Sequence, residues 1–356
     1  MRGRPFLFGL FVLLAGCGGV AAPGSGEVAS SSTEAERQYR DAVTAASWGR
    51  LANAPSINGK QDDLYFVTPE VGWSVNGQGR IFRTEDGGAS WTKLVEQPGT
   101  FFRSIMMVSP TRGFAGNIGP GYFPGVTDPE PLYETSDRGT TWTPVRTVTG
   151  PQPTGICNMQ RLDERHLFAV GRVGGPCHIV SSTDGGASWT SRDLSQHLAM
   201  LIDVRFRTPS DGIVVGMSPA QRCTILRTHD AGATWQPSFV SSTGALCWKI
   251  AFPSDSVGYV SIQGPTGTFA KTTDGGETWV EKPLVPTPFN GLGAGFITDE
   301  IGWIAGRDRV YRTTDGGDTW QEDPGLGPAV NRFRFVDRYT GYAIGTTIYK
   351  LAVPRR

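Results

Sequence analysis

The eight-residue pattern Thr272-Thr-Asp-Gly-Gly-Glu-Thr-Trp279 recurs five more times, at Thr84 to Trp91, Thr135 to Trp142, Ser182 to Trp189, Thr228 to Trp235 and Thr313 to Trp320. Every copy sets an Asp (Asp86, Asp137, Asp184, Asp230, Asp274, Asp315) two residues before a Gly and five before a Trp (Trp91, Trp142, Trp189, Trp235, Trp279, Trp320). The position directly after the Asp is looser, holding Gly in four copies but Arg138 and Ala231 in the others. An Asp that accepts backbone N–H groups just ahead of it makes a local turn, and a Gly in the left-handed region lets the chain reverse. Each copy therefore predicts a hairpin turn, with the Trp opening the returning strand and able to bury about 150–250 Å2 against a neighbouring sheet.

Successive box tryptophans stand 41 to 51 residues apart, about the size of one four-stranded propeller blade. A second shared feature, a Gly plus a large apolar residue, precedes each box: Gly72-Trp73, Gly113-Phe114, Gly212-Ile213, Gly258-Tyr259 and Gly302-Trp303, with Gly341-Tyr342 after the last box. The third unit keeps Leu167-Phe168 but places His166 where the Gly would be. Seven units result. The seventh ends near Leu351 without a box or outer strand, whereas Ala45-Ala-Ser-Trp48 aligns with Gly88-Ala-Ser-Trp91 one period ahead of the first box. An N-terminal strand that completes the last blade removes exposed sheet edges. The reading is all-β, a seven-bladed β-propeller of four-stranded blades over 48–352, closed by the strand of Trp48.

Ahead of it, residues 1–16 carry Arg2 and Arg4, an apolar run from Phe6 to Leu14 and small residues, the layout of a secretory leader too short to span a membrane. It ends in Leu13-Leu-Ala-Gly-Cys17, which resembles a bacterial lipobox, so Cys17 is the expected lipidation site. Residues 17–47 read as a flexible tether rich in Gly, Ala and Ser, with a short helix expected from Thr33, which has capping-box spacing to Glu36. The expected location is outside the cytoplasm, lipid-anchored to the periplasmic or outer face of a bacterial membrane.

With Cys17 assigned to lipid, Cys157, Cys177, Cys223 and Cys247 remain, an even number that suggests two disulfides in an exported chain. Their places in the repeat make Cys157 with Cys177 and Cys223 with Cys247 the simplest pairing. Cys177-His178 lacks a second ligand pair, so no metal and no cofactor is expected. Basic and acidic residues balance at 33 each, which gives no electrostatic footprint for nucleic acid. A monomer is expected.

The four histidines are scattered, and neither a Gly-x-Ser-x-Gly elbow nor a P-loop occurs. The box carboxylates repeat in the same hairpin of six units, so they cannot converge on one substrate, and no catalytic residue is assigned. The fuller unit Ile301-Gly-Trp-Ile-Ala-Gly306 followed by Val310-Tyr-Arg-Thr-Thr-Asp-Gly-Gly-Asp-Thr-Trp320 resembles the repeat of the photosystem II stability and assembly factor family, seven-bladed propellers exported to the thylakoid lumen or periplasm. The resemblance runs from Trp48 to Leu351 and implies a non-enzymatic scaffold for a membrane protein or assembly intermediate. Asp boxes also occur in sialidases and other glycosidases, so a glycoside hydrolase or carbohydrate-binding propeller is the alternative. The Phe-Arg-Ile-Pro signature of sialidases is absent.

Binding candidates fall in two groups. The long insertion from Asn117 to Pro131 carries Tyr122 and Phe123 among Gly and Pro, rigid aromatics suited to protein contact. Arg205 and Arg334 share one inner-strand position, Arg161 matches them in the third unit, and Arg103, Lys249 and Arg332 lie nearby. These six are expected to form a basic patch that receives an acidic peptide.

Overall fold

In the computed structural model, which describes residues 25–57 and 61–355, the first repeat forms four antiparallel strands, Gln61–Phe66, Gly72–Asn76, Arg80–Thr84 and Thr92–Glu96, hydrogen-bonded in that order. The burial gradient across this sheet sets its orientation. Gly72–Asn76 is buried along its whole length, while Thr92–Glu96 is half exposed. The other repeats follow the same plan, and the fold is an all-β propeller of four-stranded blades. The leader 1–16 and Cys17 lie outside the described residues.

Among the described residues the hydrogen bonds define six sheets rather than one per repeat. Strand Gly258–Gly264 runs past its own unit, and Gln263 and Gly264 pair with Asn290 and Phe289 at the start of Phe289–Phe296. Two repeats are thereby fused into one eight-stranded sheet. The sheet of the third repeat gains a fifth strand, Val148–Thr149, parallel to Trp189–Asp193. Trp48–Arg50 pairs antiparallel with Ile348–Ala352, with Trp48 opposite Leu351. Trp48 is 4% exposed and meets Trp303 edge-on at 5.3 Å.

The core lies in the slots between neighbouring sheets. One slot joins Phe168, Val170 and Ile179 to Leu201, Val204, Phe206 and Trp235 of the next sheet. Rings stack between neighbouring repeats, Phe168 on Phe206 at 3.7 Å and Tyr259 on Phe296 at 3.5 Å. Phe66 stacks in the same way on Tyr342, at 3.8 Å, joining the first sheet to the last. Each such side chain contributes about 1.5–3 kcal/mol on burial.

Each Asp turn is built from its own side chains. Asp86 Oδ1 accepts from Thr84 Oγ1 and the Ser90 N–H, both at 2.8 Å, Asp86 Oδ2 accepts from Ser90 Oγ, and the Gly88 N–H donates to Thr84 Oγ1 at 2.8 Å. The hydroxyl and N–H of Ser90 and the hydroxyl of Thr84 hold the carboxyl of Asp86 down at about 2. All six residues after the Asp adopt left-handed φ, including Arg138 (68°) and Ala231 (59°). The following position is always Gly, near 81–91°, and there the neighbours decide. A Cβ on Gly186 would stand 2.3 Å from Phe114 Cζ.

The described chain divides into two units, one ending at Asp41 and the other spanning Ala42–Arg355. The helix Ser25–Ala45 begins earlier than the short one expected from Thr33, so the part of the expected tether from residue 25 is helical. Arg37 bridges Glu34 at 2.7 Å and Asp41 at 3.1 Å on its exposed face, spacings that support a helix. Its last turn is capped within the larger unit, where Arg312 donates to the carbonyls of Val43 and Thr44, both at 2.9 Å. Among the described residues no helix is long and apolar enough to cross a membrane.

Cys223 and Cys247 form a disulfide. The expected partner bond is not made: Cys157 and Cys177 are both buried free thiols. They face different slots. Cys177 packs with Val170, Leu198 and Leu201, whereas Cys157 lies with Ile118, Val173 and Leu246. Burial and the neighbouring Cys157 push the Cys177 thiol up to about 12.

Candidate binding face

The first strand of five repeats carries an irregularity near its start, between Gln61 and Asp63, Phe102 and Ser104, Leu201 and Asp203, Cys247 and Ile250, and Gly291 and Gly293. A bulge adds an unpaired residue and re-aims side chains. Asp62 and Arg103 fall at two of these bulges, and where the inner strands converge they meet at 2.7 Å, both nearly inaccessible. Arg332 Nε lies 2.9 Å from Asp63 Oδ1, and one terminal nitrogen of Arg334 is 3.2 Å from each Asp63 oxygen. Asp203 accepts from the Asn158 amide, from the Val204 N–H at 3.0 Å and from the Ile250 N–H at 3.0 Å.

The expected basic patch is thus a mixed network. Arg103, Arg205, Lys249, Arg332 and Arg334 come together, but buried Asp62 and Asp63 pair three of them, because unpaired guanidinium groups at such depth would lose hydration without compensation. Arg161 does not join. It pairs with Leu167 in the register of Arg205 with Ile213, yet its Nε turns to the Asp163 carbonyl at 3.3 Å. The charges perturb one another. Burial, reinforced by neighbouring Arg332 and Arg103, pushes Lys249 down to about 7. Arg205 keeps an exposed surface, and the protein crowded around it together with nearby Arg334 lowers it. Arg103 is raised despite its burial, because Asp62 and the Cys157 sulfur favour its charge.

A larger opening lies among the loops that follow second strands and lead into first strands, at the end of the sheets away from the Asp turns. It is a cavity of about 770 Å3 lined by Tyr122, Phe123, Met200, Met217, Leu246 and Trp248. Arg103, Arg307 and Asp308 supply its charged groups. Tyr122 is 48% exposed. Phe123 props it edge-on at 4.8 Å and itself packs on Phe101 at 4.9 Å. Trp248 is held by Nε1 donating to Gln263 Oε1 at 2.8 Å. The loop behind Tyr122 is stitched down, since Asp128 accepts from Thr100 Oγ1 at 2.5 Å, Tyr133 Oη at 2.7 Å and Gln97 Nε2 at 3.1 Å. A rigid apolar cavity with polar groups at its edge suits an apolar peptide side chain. Among the described residues no three His, Cys, Asp or Glu groups are arranged to hold a metal ion.

The sequence reading found Tyr122, Phe123 and the cations but missed the acids and Trp248. Signals for both are present. Asp63-Leu64 and Asp203-Val204 occupy the same place in their first strands, an acid just after the irregularity and followed by an apolar residue, and Trp248 is a tryptophan outside every repeating position.

No protein-family model matches the chain. A curated relative, the photosystem II assembly protein Ycf48 of Thermosynechococcus vestitus, is 25% identical over 190 residues, which cover 52% of this chain and 49% of the relative. The match therefore spans about half the length of that relative. Two solved structures share the fold at 18% identity: YCF48 bound to a D1 peptide, TM-score 0.63, covering 87% of this chain and 95% of that one, and YCF48 from Cyanidioschyzon merolae, TM-score 0.64, covering 87% and 99%. The GH74 xyloglucanase from Xanthomonas campestris is also similar in fold, with TM-score 0.60 and 15% identity, covering 86% of this chain and 53% of that one. The resemblance to photosystem II assembly factor-like propellers, read from the repeat unit, is supported by these matches.

Proposed function

We propose that this chain is a protein-binding scaffold that holds a peptide segment of a membrane-associated partner in the cavity between Tyr122 and Trp248, and that it catalyses no reaction. The observation that carries this reading is the cavity itself: about 770 Å3, apolar at its walls, and built from loops of several repeats on braced aromatics. The likeness to Ycf48, one of whose solved structures holds a D1 peptide, supports a partner of that kind, a membrane protein or an assembly intermediate. Asp308 is the one carboxylate among the residues lining the cavity, whereas glycoside hydrolysis ordinarily uses two carboxylates flanking the bond.

In this reading the eight-stranded sheet counts as two blades, which gives seven, and Trp48–Arg50 closes the ring by completing the last. Export by the leader and lipidation at Cys17 would place the propeller at a membrane surface as a monomer, where an anchored scaffold meets its partner at high local concentration.

The test places a photocrosslinking residue at Tyr122 in the full chain expressed in its host, followed by membrane solubilisation and identification of the adduct. A single membrane-protein segment, captured by the wild-type anchor, reduced by Cys17→Ser and lost with Trp248→Ala, supports the scaffold. Turnover of xyloglucan or a sialoside by the purified protein overturns it, as does crosslinking that ignores Trp248.

A further inference from the structure

The central network leaves donors without acceptors. Asp62 pairs with Arg103, Asp63 with Arg332 and Arg334, and Asp203 with Asn158 and two backbone N–H groups. Among the described residues neither Lys249, 5% exposed, nor Arg205 forms an ion pair. Arg334 Nε is buried with no hydrogen-bond partner, and the N–H at Arg332 Nε makes no hydrogen bond despite its 2.9 Å approach to Asp63. Lys249, Arg205, Arg332 and Arg334 all line one cavity of about 70 Å3.

We propose that this cavity binds a small monovalent inorganic anion of the size of chloride, held by Lys249, Arg332 and Arg334 where the inner strands converge. Charge and size together select such an anion. Four cations line the cavity, Lys249 and Arg332 buried, Arg334 half-buried and Arg205 exposed at its surface. Against them stands one lining carboxylate, Asp203, whose oxygens already accept from Asn158 and two backbone N–H groups, and around the buried pair like charges repel more strongly than in water. The excess is positive, and what it lacks is an acceptor carrying negative charge. One water needs roughly 10–15 Å3 of such space, so the cavity admits a halide with a water or two and excludes a sugar or nucleotide. The low position of Lys249, at about 7, has the cause that an anion would remove: burial among Arg332 and Arg103. The site is distinct from the 770 Å3 cavity of the proposed function, so either can fail alone.

Thermal unfolding of the full chain at constant ionic strength tests this, with sodium gluconate replaced stepwise by chloride or bromide. A saturable rise in Tm with halide is expected, because a ligand that binds only the folded state stabilises it by mass action. Lys249→Met and Arg334→Gln should each abolish the rise, and Arg334 reaches solvent, so its variant keeps the fold should Lys249→Met not. Arg146→Gln, on the exposed surface, should leave the rise intact. Crystals grown in bromide should show anomalous scattering in the cavity. Equal Tm in gluconate and chloride, a halide response retained in Arg334→Gln, or bromide density only elsewhere would overturn the site; water alone in the cavity gives the first of these outcomes.

Discussion

Asp63 has no exposed surface, and its Oδ1 lies 2.9 Å from Nε of Arg332 although the two stand near opposite ends of the folded chain. The same carboxylate accepts the N–H of Leu64 at 2.9 Å and of Ile105 at 3.1 Å. One side chain thus ties the first sheet to the second and to the last.

Removing one partner of such a pair is expected to cost more than removing both. Asp63→Asn leaves Arg332 buried without its counter-charge and should lower stability by about 3–5 kcal/mol. Asp63→Leu with Arg332→Met should recover a large part of that loss. Urea unfolding of Asp63→Leu, Arg332→Met and the double variant gives the coupling, and a double variant as unstable as the sum of those singles would remove the pair from its proposed place.

The Asp turns invite a test of why one Gly is replaceable and the next is not. Ala231 already sits at φ 59°, where an L-residue is strained by roughly 1–2 kcal/mol, and glycine gives part of that back to the unfolded chain. Ala231→Gly is therefore expected to be neutral or to stabilise by up to about 1 kcal/mol. Gly186→Ala would drive a Cβ to 2.3 Å from Phe114 Cζ at φ 89° and should cost at least about 2 kcal/mol. Calorimetric Tm shifts of the same sign for both would contradict this account.

Lys249 sets a pH dependence whose sign follows from its depressed value. Between about 7 in the fold and its ordinary 10.5, the unfolded chain binds a proton that the folded chain does not. Stability should accordingly rise with pH across that window and be lowest below it. Arg103, Arg332, Asp203 and Cys157 are the charged or titratable neighbours that act on it. In halide-free buffer Lys249→Met should flatten the slope and raise Tm more at pH 6 than at pH 10. An unchanged slope in the variant would place the titration elsewhere.

The repeat made the blade plan legible because its signals are local: a turn closed by its own Asp and hydroxyls, and a Gly lying against an aromatic ring. Gly72 shows the second, since a Cβ there would meet Phe66 at 2.5 Å. What the sequence could not show depends on which residues face each other across sheets. The cations at 103, 332 and 334 looked like an open patch because Asp62 and Asp63 come from another repeat. Cys157 and Cys177 looked paired because register places their backbones near one another, while the side chains enter different slots. The overrun of Gly258–Gly264 onto Phe289–Phe296 has no pattern of its own in the chain.

The disulfide pins the wall of the larger cavity. Cys247 stands between Leu246 and Trp248, both lining residues, and its bond to Cys223 closes 24 residues of chain. A loop of that size contributes about 3 kcal/mol when closed. Cys223→Ser with Cys247→Ser should lower Tm by several degrees and remove the effect of added dithiothreitol on Tm. Cys177→Ser, at a thiol with no bond to lose, should keep the dithiothreitol effect. Equal Tm with and without reductant in the wild type would show the bond to be absent in solution.

Tyr122 and Phe123 are adjacent, yet their variants are expected to separate binding from folding. Tyr122 presents 48% of its surface to solvent, so Tyr122→Ala should change stability by no more than about 0.5 kcal/mol. Phe123 packs on Phe101 beside Ile118 and Val173, and Phe123→Ala should lower stability by about 2 kcal/mol or more. Excising residues 119–129 is a poorer test, because it takes away Asp128 and strands the donors of Thr100, Tyr133 and Gln97. For binding of the partner segment identified by crosslinking, an exposed aromatic anchor at a cavity mouth should supply about 2 kcal/mol, so Tyr122→Ala should weaken Kd roughly 30-fold. Calorimetric titration beside thermal unfolding separates the two effects. A Tyr122→Ala protein that binds as well as the wild type, with Tm unchanged, would move the contact surface away from this cavity.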